Sequence, residues 1–119
     1  MIKIISKTFT FEAAHYLLGS SDKKNRRIHG HSFLAEVSFE GRILSNGMIT
    51  DFKKIDTNLT NIIKTLDHSF LNDIPGLDNP TLENIGSWIW KQLEKKHKNI
   101  YEVKVSRKSC GEKFILQNN

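Results

Sequence analysis

Three of the five histidines have the type and spacing to share one metal ion. His15 closes the segment Phe11-Glu12-Ala13-Ala14-His15, and His29 and His31 flank Gly30. On an extended strand an i, i+2 pair projects from one face, because successive side chains alternate. Neutral imidazole suits zinc, and three protein ligands with an open fourth position form the pattern of a catalytic zinc site. A structural zinc site would draw on four ligands, usually cysteines, and this chain has one cysteine. The plainer alternative is three unrelated histidines, and spacing alone does not decide between the two.

Other residues carry weaker signals. Asp67 and His68 are adjacent, and an aspartate can fix a histidine's tautomer and raise its basicity. Adjacent residues on a helix do not face one another, so the pair would have to lie in the turn beyond a helix end. Read more simply, His68 is a cation placed favourably near a helix C-terminus. His97 lies in a lysine-rich segment and reads as exposed and inert. Cys110, in Ser109-Cys110-Gly111, reads as a small hydrophobe, or as a nucleophile if Arg107 or Lys108 stabilises its thiolate.

Composition sets the frame for these groups. A chain of 119 residues suffices for one domain, residues 1–119, with one modest core. It has no apolar run near the roughly 20 residues that a membrane span needs, and its first residues turn polar too soon for a signal peptide. A lone cysteine excludes an internal disulfide and fits a reducing cytoplasm. The net charge of +5 owes much to Lys23, Lys24, Arg26 and Arg27 and to Lys91, Lys95, Lys96 and Lys98. No basic stripe is interleaved with aromatics, so this charge reads as a solvated face and a basic loop, not a nucleic-acid surface.

The elements that must position the candidates follow from periodicity. Residues 2–14 alternate as a strand, but Ile2 and Ile4 share one parity and Phe9 and Phe11 the other, which implies a bulge or break between them. Residues 19–28 are a polar loop. Residues 31–41 form the clearest strand, with Phe33, Ala35, Val37 and Phe39 on one face. Asn46-Gly47 marks a tight turn. Asp51 can cap a helix running to about Leu66, with Ile55, Leu59, Ile62, Ile63 and Leu66 at helical spacing. A second helix starts near Asn79-Pro80-Thr81, with proline suited to its first turn, and carries Ile85, Trp88, Ile89 and Leu93 on one face. Tyr101–Arg107 is a third strand with Val103 and Val105 in phase, and Lys113–Gln117 a short fourth. The order ββααββ gives an α+β fold, two helices on one face of a four-stranded antiparallel sheet. Such a sheet has two open edges, which oligomerisation could cover.

Taken in order, several segments resemble the 6-pyruvoyltetrahydropterin synthase family, and within it the bacterial 6-carboxytetrahydropterin synthase branch of the queuosine (7-deazaguanine) pathway. They are Phe11-Glu12-Ala13-Ala14-His15, His29-Gly30-His31-Ser32-Phe33, Asp51-Phe52, Leu66-Asp67-His68-Ser69-Phe70-Leu71-Asn72 and Asn79-Pro80-Thr81-Leu82-Glu83-Asn84. The stretch Leu71-Asn72-Asp73-Ile74-Pro75-Gly76-Leu77 points to that branch. The resemblance implies the tunnelling fold (T-fold), in which three subunits close a twelve-stranded barrel and two trimers stack into a hexamer. It implies that His15, His29 and His31 hold zinc, which acts as a Lewis acid on oxygens of the substrate side chain. It implies that Asp67 and His68 are an acid/base pair, His68 reaching across a subunit interface, and that Thr81 contacts a pterin. The implied substrate is 7,8-dihydroneopterin triphosphate, from which the carboxy branch removes triphosphate and a two-carbon aldehyde.

Two positions depart from that pattern. The family's catalytic cysteine sits four residues before the first histidine of His-Gly-His, which here is Asn25, an amide without useful basicity. The family's pterin-anchoring glutamate on the third strand falls on Arg107 when Val103 and Val105 are aligned. Arginine only donates and would leave pterin N–H groups unpaired, at about 1–3 kcal/mol each. Glu112 would substitute only after a register shift. These changes suggest a repurposed pocket in which Arg107 and the loop 23–27 meet an anionic ligand and Cys110 or His68 supplies any base that is needed.

Overall fold

A computed structural model describes all 119 residues. Two long strands, β1 (Ile4–His15) and β2 (His29–Glu40), pair antiparallel in one unbroken register from Ile4–Glu40 to His15–His29. The expected bulge or break in β1 is absent. One parity carries Ile5, Phe9, Phe11, Ala13 and His15 inward, while Ile4 is exposed on the other and Ile2 precedes the strand. Lys7 shares the inward parity without entering the core, its Nζ lying 3.2 Å from Asp56 of the first helix. The register irregularity lies instead between β2 and β4 (Ile100–Arg107), at Ser38/Phe39.

Helix α1 (Phe52–Leu66) is capped by Asp51, whose carboxylate accepts from the Lys53 N–H at 3.0 Å. Helix α2 (Leu82–Glu94) is capped by Thr81, which accepts from the Asn84 N–H at 3.1 Å. Pro80 therefore precedes the cap and does not occupy the first turn. Both helices bury one stripe on the same sheet face: Ile55, Leu59, Ile62 and Leu66 from α1, and Ile85, Ile89 and Leu93 from α2. They cover Phe9, Phe11, Phe33, Ala35, Val37, Phe39, Val103 and Val105, with Phe11 and Phe33 stacked at 4.9 Å. Burying a side chain of this size contributes about 1.5–3 kcal/mol, so this continuous layer supplies the main driving force. Gly86 allows α2 to approach β5 (Glu112–Gln117) closely; a Cβ there would lie 2.7 Å from the Phe114 ring.

The sheet has five strands, not four, and is not wholly antiparallel. A two-residue strand, β3 (Ser69–Phe70), pairs parallel to Ala13 and Ala14, giving the order β3-β1-β2-β4-β5. It follows directly from His68, whose φ of 55° turns the chain sharply out of α1 and whose N–H donates to the Glu12 carbonyl. The expected strand 31–41 begins two residues earlier, so that His29 and His31 both lie on β2. The Asn46-Gly47 turn forms, with Gly47 at φ 83°.

Candidate metal centre

His15 ends β1 and His29 begins β2, paired directly across the ladder, and His31 lies two residues further along the same face. One potential ligand atom from each ring falls within 4.8 Å of the others. All three Nε2 atoms are buried and have no hydrogen-bond partner. The other ring nitrogen is held from outside in two cases. His15 Nδ1–H donates to the Pro80 carbonyl at 3.0 Å, and His29 Nδ1–H to the Arg27 carbonyl at 2.8 Å. Since a carbonyl only accepts, these bonds place the proton on Nδ1 and leave the Nε2 lone pair free. Burial pushes the His15 pKa down to about 4 against the Pro80 bond; His29, His31 and Arg107 push the same way. Burial, then Arg107 and His29, also lowers His31. Three imidazoles with convergent, unused Nε2 atoms fit a zinc ion, and residual hydrogen bonding does not explain them.

Asp67 and His68 lie together but apart from this cluster. Asp67 caps the C-terminus of α1, as the turn reading required. Its Oδ1 accepts from the Glu12 N–H at 2.8 Å, and its Oδ2 lies 3.0 Å from His68 Nδ1. The Glu12 amide and then His68 hold the Asp67 carboxyl below the usual range, so it stays ionised. The His68 side chain is 81% exposed. It borders an open depression of about 500 Å³ with Glu12, Ala14, Ser32 and Ser69, which also touches His31. Glu12 and Ser32 are exposed on the sheet face opposite the core, whereas His15 and His31 pack against Phe33 on the helix-covered face.

Thr81 lies beside the trio through its neighbour Pro80, although its own hydroxyl is used as a helix cap. Arg107 is on the trio's face, one residue beyond the Leu34–Ser106 pair and so abreast of Phe33. Its Nη2 lies 2.7 Å from Glu112 Oε1 across an unshifted β4–β5 register. Asn25 turns its amide to Ser20 Oγ at 3.3 Å, while its carbonyl accepts from the Leu17 N–H at 2.8 Å. Cys110 is exposed, its Sγ 3.8 Å from Ser109 Oγ, and does not join the cluster. His97 corrects its expectation: it is buried, accepts from Asn58 and packs on Phe39. The outer partners Pro80 and Arg27 act through backbone carbonyls, which residue type could not have signalled.

The family model described as 6-pyruvoyl tetrahydropterin synthase matches residues 4–118. The chain belongs to this family. A Synechocystis protein named 6-carboxy-5,6,7,8-tetrahydropterin synthase is 43% identical over 97 residues, covering 76% of this chain and 74% of that one. A Pyrococcus furiosus protein named dihydroneopterin monophosphate aldolase is 38% identical over 103 residues, covering 87% and 83%. Among solved structures, Caenorhabditis elegans 6-pyruvoyl tetrahydropterin synthase superposes with a TM-score of 0.85 at 22% identity, covering 100% of this chain and 97% of the other. That likeness establishes the T-fold. No helix is long and apolar enough to cross a membrane.

Proposed function

We propose that the chain is a zinc-dependent lyase acting on 7,8-dihydroneopterin triphosphate or a related pterin, in 7-deazaguanine (queuosine) biosynthesis in the cytoplasm. The observation that carries this is the convergence of three buried Nε2 atoms without partners. His15, His29 and His31 would hold the ion, with Pro80 and Arg27 orienting two of the rings. Bound there, zinc supplies Lewis-acid polarisation of side-chain oxygens on the substrate, which acidifies the neighbouring C–H. Asp67 holds the proton on His68 Nδ1, leaving Nε2 to accept a proton from substrate. Asn25 takes no proton, since its amide is spent on Ser20 and has no useful basicity.

The exposed Asp67–His68 pair is not gathered with its own chain's trio, which supports its service to the site of a neighbouring copy. The free edges of β3 and β5 suit closure into a barrel of trimers, and so a hexamer, in this reading. A second reading is retro-aldol cleavage of a phosphorylated pterin. The lack of a thiol at Asn25 and the 38% identity to the protein named as an aldolase favour it.

Mass spectrometry on zinc-loaded protein, supplied separately with dihydroneopterin triphosphate and monophosphate, separates these readings. 6-Carboxytetrahydropterin from the triphosphate supports the first. A product shortened by a phosphorylated two-carbon aldehyde supports the second. Unchanged substrates with zinc bound would contradict both and leave a zinc- and ligand-binding oligomer. Asp67→Asn is expected to lower turnover by about 10²–10⁴-fold with zinc content unchanged.

A further inference from the structure

Arg107 ends β4 on the helix-covered face, abreast of Phe33, whose ring lies 5.6 Å from that of His15 and 5.7 Å from that of His31. Its side chain is only 11% exposed. A guanidinium is always charged and offers five N–H donors and no acceptor. Here Nη2 faces Glu112, but the Nε–H is buried without any acceptor. Native proteins seldom leave such a donor unmet, above all on a charged group. The side chain borders a cavity of about 300 Å³, walled otherwise by Leu82, Glu83, Glu112, Lys113 and Phe114. Leu82 follows Pro80 and Thr81, and the Pro80 carbonyl holds the His15 ring. None of the three histidines lines this cavity; Arg107 is the link, close enough to the trio for its charge to lower the pKa of His15 and His31.

Charge and hydrogen-bonding capacity select what fits. Glu83 and Glu112 balance Arg107 and Lys113 in number. The three imidazoles are neutral ligands, so a divalent ion between them would bring two positive charges that no ligand offsets. A ligand presenting N–H groups to Arg107 would set donor against donor, whereas carboxylate and phosphate oxygens only accept.

We propose that Arg107 receives, through its Nε–H, the oxyanion end of the molecule bound at the histidine trio, and so determines the specificity of this site. The oxyanion is a carboxylate or a phosphate, and Glu112, 2.7 Å from Nη2, is the carboxylate it competes with. The inference rests on the reading of the trio as a metal site.

The test observes Arg107 directly. Full-length protein is labelled with nitrogen-15, and the Arg107 Nε–H cross-peak is assigned by its loss in Arg107→Lys. Inorganic phosphate and acetate are titrated separately at constant ionic strength, first without metal and then with zinc. Saturable downfield movement of that cross-peak is expected. Arg107→Lys should keep the amide pattern of the fold and bind the same anion roughly tenfold more weakly. Movement with phosphate alone identifies a phosphate, with acetate alone a carboxylate, and with both an oxyanion of either kind. No saturable movement with either anion, or equal binding by a folded Arg107→Lys, overturns the proposal. Should that variant not fold, Glu112→Gln decides: removing the competing carboxylate should tighten anion binding severalfold, and unchanged or weaker binding counts against Arg107. Ring resonances of His15, His29 and His31 report zinc separately, so their silence would sink the metal reading while leaving the Arg107 result intact.

Discussion

His15 and His97 are both buried, at 0% and 3% exposure, and burial lowers the pKa of both. They differ at one atom. Nε2 of His97 accepts from Asn58 Nδ2 at 2.7 Å, and its ring packs on Phe39 at 5.0 Å between centroids. Nε2 of His15 has no partner and points at two more that have none. Burial therefore does not distinguish a packing histidine from a ligand. The unmet lone pair does, because leaving a buried polar atom unpaired costs free energy that a packing role gives no reason to accept.

The sharpest way to break this comparison is to remove a ring from each region. His29→Ala or His31→Ala should weaken zinc binding beyond the roughly 10–100-fold that follows loss of an outer partner. His97→Gln should leave zinc affinity unchanged. Competition against a chelator reads both, and equal loss in all three would erase the distinction. Next in size, Asn58→Ala leaves the His97 nitrogen unpaired in the core and should cost about 1–3 kcal/mol of stability. Thermal unfolding would register this as a fall of several degrees in Tm without loss of zinc; an unchanged Tm would mean the Asn58 bond contributes little.

The smallest expected effect concerns pH. Burial, then Lys54 and Lys96, holds the pKa of His97 below the ordinary 6.5 in the folded state. As pH falls through that value the unfolded chain takes up a proton that the folded chain refuses, so stability declines. The contribution is fully present above the unfolded pKa. His97→Gln should therefore flatten part of the decline as pH falls below about 7.5 in denaturant titrations. An identical slope in the variant would show that His97 takes no part. His15 and His31 act with the same sign in the metal-free protein, so some decline remains.

The trio was legible because two of its members sit at strand spacing, and a strand's two-residue period decides the face. Arg107 enters through the resemblance, by alignment on Val103 and Val105, and the structure keeps it in phase with them on β4. The sequence misleads at His97 because its neighbours Lys95, Lys96 and Lys98 suggest solvent, while the turn after α2 carries its ring back onto Phe39. β3 leaves no sequence signal because two residues show no period, and a left-handed residue at His68 creates it. The bulge expected in β1 assumed that every isoleucine there must face inward, but Ile4 lies exposed. The carbonyls of Pro80 and Arg27 were invisible because every residue has one and only the fold selects which is used.

X-ray absorption at the zinc edge on purified, zinc-loaded protein tests the central claim most directly. Three imidazole nitrogens at about 2.0–2.1 Å, with one further oxygen donor completing the shell, are expected. His31→Ala should reduce the imidazole count or release the metal. A shell with fewer than three imidazoles, or one unchanged in His31→Ala, would contradict the assignment of His15, His29 and His31 as the metal centre.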